Sequence, residues 1–339
     1  MATVWRLKLN KALNTPTLGH IAGVLLLCLA SLVGAQDRSS LDYQLKARAL
    51  APGIYVVEGH NADFSPANGC NIINTGFIET DAGVLVINTG PSRLYGEQLR
   101  ALIARTTPKP VTQVIHLNLH PDYFLGNQAF ADVPRRATAE TMEGMARESS
   151  SYEANLYKAC GDWMKGTETL APNTLQTPGR WTLGNRQFEL RTYQGHTPSD
   201  LVLMDLSSGV AFVGGLAFAD RIPTTPHAKL PLWLASLKQL EIDLATLLPG
   251  TRLNYVVPSH GPVRTDTSPL KQTREYLTWL DTTLSTDAQS GLEMVEVLQS
   301  PVPAVFRSWA AFNTEFTRNV THLYPQYEIK SLLASPKAR

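Results

Sequence analysis

The chain has 339 residues, 43% of them hydrophobic and 17% charged, with a formal net charge of +1. That balance argues against a disordered chain, and the length is enough to bury a large core. No basic run is present, so the charge pattern offers nothing to nucleic acid.

The first residues have the layout of an export signal. Arg6, Lys8 and Lys11 precede an apolar stretch over 21–33, and Val33-Gly34-Ala35 is a small-residue cleavage site before Gln36. The expectation is a signal peptide over 1–35 and a periplasmic or secreted protein with no stable membrane span after cleavage. An uncleaved N-terminal anchor is the alternative. Leu27 before Cys28 does not suit a lipidation site. Removing three basic residues with the leader takes the formal charge from +1 to −2. Residues 36–50 read as a polar leader. Two cysteines remain, Cys70 and Cys160. An even pair in an oxidising compartment suits a disulfide, two buried thiols are equally compatible, and spacing decides neither.

A strand is expected over 54–58, then a hairpin from 71–78 and 84–87 around Glu79-Thr80-Asp81-Ala82-Gly83. Residues 92–105 place Tyr95, Leu99, Leu102 and Ile103 on one helical face. A strand over 111–119 and a helical region over 139–159 follow. Residues 181–193 read as a hairpin turning at Gly184-Asn185, and 201–205 pairs with 210–213. Residues 232–248 form a helix with Pro231 before it and Gly250 beyond it. A last strand over 254–257 runs into Pro258-Ser259-His260-Gly261. This rhythm predicts an α/β fold with two sheets packed together and helices outside, an αββα sandwich over 51–265. Residues 266–339 are expected as a helical C-terminal extension of the same domain.

The chemistry concentrates in His116-Leu117-Asn118-Leu119-His120-Pro121-Asp122-Tyr123. On a strand, His116, Asn118 and His120 share a face, and Asp122 follows at its end. Gly195-His196-Thr197 and Ser259-His260-Gly261 each put a histidine in a loop just after a strand. Three imidazoles and a carboxylate on strand-end loops suit zinc or iron. Any one of these histidines alone is more simply a satisfied core or surface residue.

Over about residues 50–265 the sequence resembles the metallo-β-lactamase-fold hydrolases. That family carries His-x-His-x-Asp-His, a Gly-His-Thr histidine, a bridging Asp or Cys, and a final histidine in a glycine-flanked loop. Asn74-Thr75-Gly76-Phe77-Ile78, the segment from His120 to Phe130, Gly161-Asp162-Trp163-Met164-Lys165-Gly166-Thr167, Arg221-Ile222-Pro223-Thr224-Thr225-Pro226-His227 and Thr321-His322-Leu323-Tyr324-Pro325 are more particularly similar to the quinoprotein relay system zinc metallohydrolase group. The resemblance implies His120, Asp122, His196 and His260 as metal ligands. It also implies a link to quinoprotein-dependent periplasmic oxidation.

Four positions depart from the pattern. Asn118 and Tyr123 stand where the family has histidines, Gly215 where it has the bridging acid, and Asn88 where it has an earlier strand-end aspartate. Glycine supplies no ligand atom, so a paired-metal site loses its bridge. The expectation is a depleted site holding one zinc on His120, Asp122, His196 and His260, with Asn118 or His116 as possible additional ligands; iron on His120, His196 and Asp122 is the lesser alternative. Asp122 would orient or deprotonate a water, and Tyr123 would donate to an oxyanion or simply pack. Asp200 would support the His196 loop. The functional expectation is an exported zinc-dependent hydrolase of small molecules. Its rival is a non-catalytic binding or maturation protein on the same fold.

Overall fold

The computed structural model describes residues 41–246 and 252–334. The expected signal peptide, and the end of the helix expected to reach residue 248, lie outside the described residues.

Hydrophobic alternation builds two sheets that face each other. The first runs β1 (Arg48–Ala51), β2 (Ile54–Val57), β3 (Thr75–Thr80), β4 (Gly83–Ile87), β5 (Val111–Ile115), β6 (Arg135–Ala137) and β7 (Thr174–Leu175), in that spatial order. It is antiparallel as far as β4 and parallel beyond. The second is ordered β12 (Tyr255–His260), β11 (Val210–Phe218), β10 (Asp200–Asp205), β9 (Arg186–Tyr193), β8 (Gly179–Leu183), with only the β11–β12 pair parallel. Strand β4 is buried on both sides, and its side chains alternate as the pleat requires. Leu85 and Ile87 join Phe188, Leu203 and Phe212 in the core between the sheets. Val84 and Val86 face the other way, against Leu99 and Ile103 of α1 (Arg93–Thr106). Ser92 caps that helix, its Oγ accepting the Tyr95 N–H.

After α1 come the short α2 (Pro121–Phe124) and α3 (Ala139–Cys160), then α4 (Leu230–Thr246) and α5 (Ser268–Gln289). The short turns α6 (Met294–Val297) and α7 (Ala304–Arg307) lead into α8 (Phe312–Ala334). Trp233, Leu237 and Leu240 of α4, Tyr276 and Leu280 of α5 and Val320 of α8 cover the outer face of the second sheet through Val202, Met204 and Val213. The architecture is the expected αββα sandwich with C-terminal helices packed on one outer layer. Among the described residues, no helix is long and apolar enough to cross a membrane.

Several boundaries differ from the sequence reading. Strand β1 lies largely inside the expected polar leader, and Tyr43 is buried with its hydroxyl donating to Gly69 O at 2.9 Å. A short edge strand that opens with two exposed residues, Arg48 and Ala49, looks polar in sequence. Strand β5 stops four residues before the expected end at 119, because the Leu117 N–H is taken by Asn88 Oδ1 at 3.1 Å. Strand β3 begins at Thr75 rather than 71. Strands β6 and β7 were not anticipated; three and two residues are too few to show a period. The two cysteines are joined as a disulfide, Cα to Cα 5.9 Å, fastening the loop before β3 to the end of α3.

Candidate metal centre

The strand-end loops converge at one edge of the sandwich, on a cavity of about 450 Å³. His120, Asp122 and His260 line it, together with His227, Tyr152 and, from α8, Glu315, Arg318 and His322. Each ligand candidate is held by its own local device. The His120 N–H donates to Asn118 Oδ1 at 3.0 Å, and Pro121 then opens α2, so Asp122 lies in the first turn of a helix. His196 follows Gly195, whose φ of +124° and closeness to Trp233, where a Cβ would meet the backbone nitrogen at 2.1 Å, leave no room for a side chain. His260 ends β12, stacked on Phe218 with ring centres 5.2 Å apart.

Hydrogen bonds fix which imidazole nitrogen is free. His196 Nδ1–H donates to Asp200 Oδ1 at 2.8 Å, and Asp200 Oδ2 accepts the Thr197 N–H at 2.7 Å. His260 Nδ1–H donates to Ile72 O at 2.9 Å. In both rings the Nε2 lone pair remains, the arrangement that metal-binding histidines require. His120 Nε2, His196 Nε2 and Asp122 Oδ2 are buried and have no hydrogen-bond partner. Such orphaned acceptors are costly unless something electropositive meets them.

Burial, reinforced by His196, His227 and His260, drives the His120 pKa well below the usual imidazole value. Burial followed by the Arg221 charge does the same to His260. Burial pushes the Asp122 carboxyl up to about 7. His120 and His260 are therefore neutral imidazoles near pH 7, beside a carboxyl that titrates there.

One distance tests whether a metal fits. His260 Nε2 lies 3.4 Å from Asp122 Oδ2. Two donors at ~2.0–2.1 Å from one tetrahedral zinc stand about 3.3 Å apart. The pair is thus spaced as two ligands of one ion, and it is long for a charge-assisted hydrogen bond. Among the described residues, however, no three His, Cys, Asp or Glu side chains already surround a common point. The orphaned atoms give the donor chemistry, and the gathering of a third ligand requires side-chain movement.

Other sequence-predicted residues have different positions. Asn118 does not offer its amide to the cavity: its oxygen caps His120, and its Nδ2–H donates to Asp200 Oδ1 at 3.3 Å. It braces two loops and is not placed as a ligand. His116 is buried, and its Nδ1–H donates to the Tyr123 carbonyl at 3.1 Å, away from the cavity lining. It stiffens the loop rather than replacing the missing histidine. Tyr123 packs in the core between the sheets, and its hydroxyl donates to Ser259 Oγ. Of the two roles expected of Tyr123, packing is the one its position fits, because α2 turns its ring inward while Asp122 faces the cavity. Asn88 adopts φ 59° and takes the Leu117 N–H. At Gly215 an added Cβ would lie 2.1 Å from His196 Cε1, so the imidazole fills the space a bridging side chain would need.

Sequence reasoning underrated the supports. Asn74 donates from Nδ2 to Pro258 O at 2.9 Å and to Gly261 O at 2.7 Å, holding the His260 loop from both sides. A polar residue opening an apolar strand was the available signal. Glu315 and Arg318 of the cavity wall carry no local motif, and only the packing of the tail reveals them; His322 lies in the Thr321–Pro325 segment already singled out in the sequence.

The two-sheet sandwich flanked by helices is a fold shared with solved metallo-β-lactamases. The chain is similar to a metallo-β-lactamase from Pontibacter korlensis at 22% identity and a TM-score of 0.56, covering 69% of this chain and 99% of that one. It is also similar to the metallo-β-lactamase IND-7 (15%, 0.56, covering 70% and 100%) and to a metallo-β-lactamase from Hirschia baltica (17%, 0.53, covering 69% and 97%). The chain matches no protein-family model and no curated protein.

Proposed function

We propose that this chain is a metallo-β-lactamase-fold hydrolase that works with a single zinc ion, held by His120, His196, Asp122 and His260. The 3.4 Å separation of His260 Nε2 and Asp122 Oδ2 carries the reading, with the orphaned Nε2 atoms of His120 and His196 beside it. When bound, zinc supplies Lewis-acid activation of a water and of the bond to be cleaved. The chain's own groups set the rest. Asp200 and the Ile72 carbonyl hold His196 and His260 with Nε2 free. Burial raises the Asp122 carboxyl to about 7 in the metal-free protein, and an ion at Oδ2 would hold it as the carboxylate. Phe64, Ile72 and Leu156 give the cavity an apolar wall, which suits a small substrate with an apolar body. Iron on His120, His196 and Asp122 is the lesser choice.

Export and a quinoprotein partner belong to the same proposal. The signal-like leader supports export, and so does the Cys70–Cys160 disulfide, which an oxidising compartment preserves. The quinoprotein link rests on the motif resemblance. A non-catalytic binding or maturation protein is the second reading. It is favoured by Asn118, whose amide is engaged elsewhere, and by Gly215, which has no ligand atom.

The test is the metal content of the mature protein, purified without added metal, by elemental mass spectrometry. About one zinc per chain is expected, lost in the His120→Ala/His196→Ala double variant. No metal, and no uptake on zinc titration, would leave the binding-protein reading.

A further inference from the structure

We propose that His227 is a ligand of the same metal centre, donating beside His120 and His196; this rests on the mononuclear reading above. His227 belongs to none of the ligand motifs. It lies in the loop between β11 and α4.

His120 is the hub of the arrangement. Its ring centre lies 4.7 Å from that of His196 and 5.5 Å from that of His227. Two imidazoles each bound through one nitrogen to a tetrahedral zinc have ring centres about 5 Å apart, given Zn–N near 2.0–2.1 Å. The two separations straddle that value. Asn118, by contrast, has both ends of its amide engaged in bracing loops.

The His227 loop is held on both sides. The Lys229 N–H donates to Gly195 O at 2.7 Å, which ties the loop directly to the residue before His196. Thr225 Oγ1 donates to Asn319 Oδ1 at 2.8 Å, and Asn319 Nδ2–H donates to Pro223 O at 2.9 Å, anchoring it to α8. An imidazole on a fixed loop loses little freedom when it binds.

Its nitrogen chemistry is suitable. His227 Nε2 lies 3.1 Å from the Tyr152 hydroxyl, and both side chains line the cavity. With the hydroxyl as donor, Nε2 carries a lone pair. Coordination exchanges this hydrogen bond for a metal bond by a turn of the ring about its side-chain bonds. That turn would supply the third ligand that does not yet stand around a common point. Tyr152 is then left in the cavity wall with a free hydroxyl to offer a substrate.

The experiment uses the whole chain, with zinc affinity measured by competition against a chromogenic chelator and coordination read from cobalt(II) absorption. His227→Ala and His227→Gln are compared with wild type, with His60→Ala, at an exposed histidine outside the cavity lining, as a control. Both His227 variants are expected to lose zinc affinity on the order of 100-fold and to change the cobalt band, with unchanged melting of the metal-free protein; His60→Ala keeps both signals. Wild-type affinity and an unchanged cobalt band in the His227 variants overturn the ligand role, and so does a loss of turnover alone. If wild type binds metal and His120→Ala abolishes it, the mononuclear reading stands whatever His227 does. If wild type binds none, that reading falls and His227 falls with it.

Discussion

The imidazole of His196 lies against the bare backbone of Gly215, so closely that a Cβ there would sit 2.1 Å from Cε1 and 2.7 Å from Asn118 Nδ2. Real Cβ contacts are not that short, so any side chain at 215 must displace the ring or the amide. Gly215→Ala is therefore expected to weaken zinc binding, since His196 loses its place over the backbone. Gly215→Asp, alone or with Asn118→His, is expected to weaken it further rather than create a second metal position. Chelator competition and metal stoichiometry check this. A Gly215→Asp/Asn118→His protein holding two zinc ions per chain would show that the loops can reopen a paired site.

Asp200 serves three donors: His196 Nδ1, the Thr197 N–H and Asn118 Nδ2. Asp200→Asn keeps the shape but replaces one acceptor oxygen by a donor, which faces a donor already in place. The variant is expected to lose about 10–100-fold in zinc affinity. Unsatisfied buried groups would also lower stability by about 1–3 kcal/mol. Zinc titration and denaturant melts read the two effects separately. Unchanged affinity with reduced stability would confine Asp200 to a turn role.

The disulfide joins residues 90 apart in sequence. Closing a loop of that length restricts the unfolded chain by about 4–5 kcal/mol in the chain-entropy account, with measured values commonly smaller. Ile72, two residues beyond Cys70, supplies the carbonyl that orients His260. Reduction, or Cys70→Ser/Cys160→Ser, is thus expected to lower the melting temperature and to weaken metal binding together. Binding at wild-type affinity in a less stable variant would separate the tether from the site.

The sequence carried most of the architecture because the long elements have clear periods. The buried alternation of β4 and β11 and the face of α1 with Tyr95, Leu99 and Ile103 are examples. It also brought His120, Asp122 and His260 to one cavity and His196 beside His120, since strand-end loops at one sheet edge must converge. It did not reveal rotamer direction. His116 and His120 are four residues apart on an expected strand that ends at Ile115, so the shared face never forms. Tyr123 and Asp122 are neighbours in α2 and point to opposite sides. From the sequence, His227 is a loop histidine as compatible with the pocket as with the surface, because its closeness to His120 depends on anchors to Gly195 and Asn319, both remote in sequence.

His116 makes a test of pH dependence that is independent of metal. Burial, offset in part by the bond to the Tyr123 carbonyl, lowers its pKa to about 3. The folded state therefore keeps the ring neutral where the unfolded chain, titrating near 6.5, takes up a proton. Its contribution to stability is fully present above about 6.5 and is lost as the pH falls toward 3. At pH 5 the loss amounts to about 2 kcal/mol for this group. His120 and His260 act in the same direction, whereas the raised Asp122 acts in the opposite one, losing stability as the pH rises toward 7. Comparing wild type with His116→Gln in the presence of chelator isolates the single residue. Unfolding free energies measured from pH 7 to pH 5 are expected to fall more steeply for wild type, by nearly one proton. Equal slopes would mean that the His116 ring charges inside the folded protein, and that its hydrogen bond to Tyr123 does not hold the loop as the geometry implies.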